Sequence, residues 1–126
     1  MSSRRPGEWD QLAGCFPDAV LVDAPDGTVL VALPAVAVPA GWSMSATPLW
    51  FIVPVGYPAA QPDCFWASAD LRLAAGALPS NAAQQQLPVL QHQALWFSWH
   101  LAAWRPAHDT LITYARFAIR RFDDAR

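Results

Sequence analysis

Ala19-Val20-Leu21-Val22-Asp23, Ala24-Pro25-Asp26-Gly27 and Thr28-Val29-Leu30-Val31-Ala32-Leu33 follow one another without interruption and carry the strongest local signal in the chain. Two runs rich in Val and Leu flank a turn in which Pro restricts φ and Gly accepts a positive φ. This pattern predicts a β-hairpin.

Downstream, Pro34, Pro39 and Gly41 are expected to break the chain before a third strand, Leu49-Trp50-Phe51-Ile52-Val53. Its apolar character is continuous rather than alternating, so it is expected to be covered on both faces. After Pro54 and the loop Gly56-Tyr57-Pro58-Ala59-Ala60-Gln61-Pro62, Cys64-Phe65-Trp66-Ala67 reads as a shorter fourth strand. Residues 70–88, rich in Ala, Gly and Gln, read as a long irregular excursion, either functional or a variable insert. Val89 to Trp104 is dense in aromatics and fits neither the helical nor the strand period.

At the C-terminal end Pro106 opens a new unit. Asp109 is the expected N-cap, and Leu111, Tyr114, Ala115, Ala118 and Phe122 share one face of an amphipathic helix. Arg116, Arg120 and Arg121 fall in its second half, where cations suit the helix dipole. At the other end, residues 1–7, with Arg4, Arg5 and Pro6, read as a flexible arm before a short helix from Glu8 to Gly14 that carries Trp9 and Leu12. Residues 123–126 read as a polar tail. The expected architecture is one α+β domain over residues 1–126: a four-stranded antiparallel meander with a short N-terminal helix and a packed C-terminal helix.

Composition narrows the function. The 126 residues are 54% apolar and 14% charged, which suits a packed core rather than disorder. A net charge of −2 argues against a general nucleic-acid binder. All 8 basic residues are Arg, so Schiff-base and P-loop lysine chemistry are excluded. Two cysteines, Cys15 and Cys64, make no disulfide framework and are expected to be buried free thiols. The greasiest stretch is broken by Pro34 and Pro39, too short for a membrane span, and no signal peptide is apparent. A cytoplasmic location is expected.

Three pieces line up with a known family: Tyr57-Pro58-x-x-x-Pro62 after the third strand, a short strand with Phe65, and Trp104-Arg105-Pro106-Ala107 before a helix. Together they resemble the ubiquitin-conjugating enzyme (UBC) fold, which carries Tyr-Pro-x-x-Pro-Pro and Trp-Ser-Pro-Ala at these places. The run Trp96-Phe97-Ser98-Trp99-His100 before Trp104 looks like the branch called prokaryotic family E, associated with bacterial ubiquitin-like modification genes. The resemblance implies a component that binds a ubiquitin-like protein, its activating enzyme, or both. It also implies docking positions at Ala59 and Ala60 in the first loop and Arg105, Pro106 and Ala107 in the second. Alanine here replaces the family's usual bulky anchor. Tyr57, Trp96 and Trp9, the last on the N-terminal helix, complete the expected partner-binding set. With seven tryptophans in 126 residues, some are expected to be exposed as interface anchors.

The resemblance places the family's thioester cysteine about eight residues before the tryptophan, which here is Trp96, and no cysteine lies between residues 65 and 126. Ala67-Ser68-Ala69-Asp70 stands where the family has His-Pro-Asn, whose Asn supports the acyl-transfer oxyanion. The remaining chemical candidates are Ser98 and His100, which Ser-x-His spacing puts on one face of an extended segment. The alternative is that His100 is partly buried on a neighbouring loop and Ser98 is a satisfied hydroxyl. No cofactor is expected. Histidines at 92, 100 and 108 are spaced by eight, but Pro106 interrupts their alignment, so no metal is expected either. A member without the usual cysteine is thus expected, a pseudoenzyme in preference to an active carrier. Two other readings remain: a non-catalytic adaptor using exposed aromatics, and a small Ser/His acyl-transfer enzyme or hydrolase.

Overall fold

A computed structural model describes residues 7–126. The expected arm at Arg4, Arg5 and Pro6 lies outside the described residues. The elements are α1 (Glu8–Cys15), β1 (Val20–Asp23), β2 (Val29–Ala37), β3 (Ala46–Val53), β4 (Cys64–Ala67), β5 (Ala82–Gln86), β6 (Gln93–Ser98) and α2 (Leu111–Arg120), with a 3-10 turn at Arg121–Asp123. They form an α+β domain with one six-stranded sheet, ordered β1-β2-β3-β4-β6-β5, in which every pairing is antiparallel. No helix among the described residues is long and apolar enough to cross a membrane.

The β1–β2 hairpin forms as its turn chemistry requires. Gly27 adopts φ +90°, and the Asp26 carboxylate accepts the Thr28 backbone N–H at 3.0 Å and its hydroxyl at 2.6 Å. Pro34, read as a strand breaker, lies inside β2, whereas β2 stops at Ala37, ahead of Pro39. Between Leu33 and Val36 the β2–β3 register shifts, so that Pro34 and Ala35 on β2 face Pro48 on β3. A bulge suits residues that cannot donate a ladder hydrogen bond, and both prolines are absorbed there.

Four expected strands become six. β5 lies inside the stretch read as irregular: Ala82-Ala83-Gln84-Gln85-Gln86 has little strand propensity of its own and is held as an edge by pairing with β6. β6 lies between β4 and β5 with apolar side chains on both faces, which is why no period showed. Leu95 and Phe97 enter the main core, whereas Ala94 and Trp96 join a second cluster on the opposite face. The covering expected for β3 holds in a weaker form. Thr47, Leu49, Phe51 and Val53 are buried, and Trp50 and Ile52 are half-covered in the outer cluster.

α1 and α2 cover the inner face of the sheet. The five positions anticipated from spacing, four on α2 and Phe122 in the 3-10 turn after it, are all buried, and Phe51, Phe65, Phe97 and Leu12 pack in the same core. The cap is Thr110 rather than Asp109: its hydroxyl accepts the Thr113 N–H, and the Thr113 hydroxyl accepts the Thr110 N–H in return. The Asp109 carboxylate instead accepts the Arg105 N–H at 2.6 Å, closing the turn that holds Pro106. Pro106 therefore sits before the helix and not in its first turn.

Arg121 is not a solvated dipole cation. It is 2% exposed, with its guanidinium 5.5–5.6 Å from the Trp42, Phe97 and Trp99 rings. It donates to the carbonyls of Ser80, Asp124 and Arg126, so the expected polar tail is tied to the body.

Candidate functional site

Where β3 ends, the chain turns back on itself: Tyr57 N–H donates to the Pro54 carbonyl and Ala60 N–H to that of Gly56, both at 3.0 Å. This first loop meets the segment that follows β6. The Trp104 indole donates to the Pro58 carbonyl at 2.7 Å, and the Tyr57 and Trp104 rings lie 6.0 Å apart. The Gln61 carboxamide clamps Leu101 from both sides, donating to its carbonyl at 2.6 Å and accepting its N–H at 2.8 Å. Tyr114 on α2 holds the same segment by donating to the Trp99 carbonyl, and Trp99 stacks on Phe117. Ala59 and Ala60 on one loop and Arg105, Pro106 and Ala107 on the other are exposed at the corner so formed.

The corner is tied down from beneath by Glu8, the first residue of α1, which is 6% exposed. One of its oxygens accepts the Tyr57 hydroxyl at 2.5 Å and the Leu111 backbone N–H at 2.9 Å. Sequence reasoning missed Glu8, Gln61 and Tyr114, because their partners stand 49, 103, 40 and 15 positions away and no local pattern announces such pairs.

Not every expected partner-binding residue faces outward. Tyr57 is buried, 6% exposed, and its hydroxyl is engaged, so its part is to shape the loop. Trp9 is half-buried against the main core, and Trp96 is half-buried in the outer cluster. None of the seven tryptophans is exposed, which corrects the expectation of exposed aromatic anchors. A sheet with apolar clusters on both faces has room for them: strand register sets Trp50, Trp66 and Trp96 side by side on the outer face, and His92 closes on Trp50 at 5.2 Å.

Ser98 and His100 are both exposed, and no hydrogen bond joins them among the described residues. The expectation of a partly buried His100 is thereby corrected. Cys64 stands across the strands from Ser98. Burial pushes this thiol up to about 11, and the neighbouring Asp63 charge adds to the effect, so the thiolate is scarce near neutral pH. Cys64 also lines an apolar hollow of about 370 Å³ with Ile52, Val55 and Trp66. Cys15, expected to be buried, is exposed, with an Arg116 nitrogen 3.6 Å from its sulfur. Among the described residues no group of three or more His, Cys, Asp or Glu side chains is assembled as for a metal ion.

The arrangement can present a fixed two-loop surface. Comparison with known proteins gives the corner its context. The family model described as prokaryotic E2 family E matches residues 19–124, most of the chain, and the chain belongs to that family. Neither curated proteins nor solved structures gave a match.

Proposed function

Given this membership, which points to a ubiquitin-like modification pathway, we propose that the chain is a UBC-like component that binds the activating enzyme, the ubiquitin-like protein, or both. It does so without carrying the cargo as a thioester. The observation that supports this reading is the corner itself, where two loops far apart in sequence are joined by the Trp104–Pro58 and Gln61–Leu101 hydrogen bonds. Preorganised loops lose little conformational freedom on binding, and Pro58 and Pro62 stiffen the first of them.

The transfer half of the family's chemistry finds no support in these residues. Trp96 stands eight positions before Trp104, and its ring is packed in the outer cluster. The Cys64 thiol is held protonated by burial.

Titration calorimetry with the purified activating enzyme and, separately, with the ubiquitin-like protein tests the proposal. Binding to at least one is expected, and Ala60→Glu or Pro106→Glu should weaken it by about tenfold or more, the scale of a lost interface position. Binding to neither, or binding indifferent to both substitutions, overturns the assignment of the corner.

A further inference from the structure

We propose that Glu8 is a positioning residue that couples α1 to both loops of the corner, so that a partner engaging α1 alters the surface presented by residues 59–60 and 105–107. The functional sense of this rests on the docking reading above; the coupling itself does not.

Three observations carry it. A single carboxylate oxygen takes two donors from two separate segments, the Tyr57 hydroxyl of the first loop and the Leu111 N–H that opens α2. Glu8 is itself the first residue of α1, entered through Gly7 at φ +82° with no side-chain cap. The carboxylate therefore lies where two helix N-termini meet, and both favour a negative charge there. Finally, Glu8 and Tyr57 are each only 6% exposed, so water is a poor substitute for either partner.

The consequence is mechanical. Tyr57 adjoins Pro58, whose carbonyl holds Trp104, and Leu111 follows directly on the turn containing Arg105 and Pro106. Displacing α1 withdraws one acceptor and loosens both sides of the corner together. Asp10 and Gln11, exposed on the same helix, leave α1 open to a partner.

The test is 15N–1H NMR on the full chain, reading the Trp104 indole N–H and the Leu111 amide, with Val31 and Phe51 amides in the sheet as controls. In Glu8→Ala both reporters should shift and exchange with solvent about tenfold faster or more, the scale of a lost charge-assisted hydrogen bond. The controls should hold. Glu8→Gln keeps an acceptor oxygen in place and should return both reporters most of the way to wild type. Should Glu8→Ala fail to fold, Tyr57→Phe should still shift the Leu111 amide through the shared oxygen. Reporters unmoved in Glu8→Ala, disturbance in Glu8→Gln equal to that in Glu8→Ala, or a Leu111 amide unmoved in Tyr57→Phe overturns the coupling. Coupled reporters in a chain that binds neither the activating enzyme nor the ubiquitin-like protein would leave this inference standing and remove the docking reading instead.

Discussion

Cys64 and Cys15 show how position, more than residue type, sets reactivity. Burial pushes Cys64 from an ordinary 9.0 to about 11, while Cys15 is exposed beside Arg116. Iodoacetamide at pH 8 should therefore modify Cys15 well before Cys64, as read by peptide mass; equal labelling would contradict the burial of Cys64. The same shift bears on stability. The folded state keeps the Cys64 proton where the unfolded state releases it, so this contribution is fully present below about pH 9 and is lost as pH rises towards 11. Its size is on the order of 1–2 kcal/mol once partial solvent exposure is allowed for. Urea unfolding at pH 8 and pH 10.5 should show the decline, and Cys64→Ala should make it shallower. Arg121 belongs to the same scale. Arg121→Ala should cost roughly 2–4 kcal/mol, because it removes ring packing and the donor to three carbonyls. Hydrogen exchange should then speed up at residues 124–126.

Among the elements, those with a local cause were legible and those with a distant cause were not. The β1–β2 hairpin could be read because Pro25-Asp26-Gly27 dictates its turn, and the buried face of α2 because five residues keep helical spacing. β5 could not be read, since Ala and Gln become a strand only when β6 lies alongside. Nor could the passage of β2 through Pro34, which depends on Pro48 in the strand opposite. Helix capping shows a subtler limit. Asp109 and Thr110 are both good caps, and the choice is made by the Arg105 N–H, which takes the Asp109 carboxylate into the preceding turn. Thr110→Ala should cost about 1 kcal/mol in urea unfolding, the usual size of a lost N-cap. No change would show that the capping box contributes nothing.

At the level of the whole molecule, a single six-stranded sheet carries apolar clusters on both faces, and the corner lies where the end of β3 and the segment after β6 converge. The two chain segments that form the corner were legible, because Tyr57-Pro58 and Trp104-Arg105-Pro106 are local motifs. The supporting half, Glu8 and Gln61, was not, because each acts through partners brought near only by the fold. The proposed role draws on this division: residues beneath fix the shape, and small exposed residues meet the partner. The most direct measurement is intact mass combined with size-exclusion chromatography after incubation with the activating enzyme, the ubiquitin-like protein and ATP. A co-eluting complex in which this chain keeps its unmodified mass, and which Pro106→Glu dissolves, is the predicted result. A covalent adduct on Cys64, Ser98 or any other residue of the chain, or the absence of any complex, would contradict it.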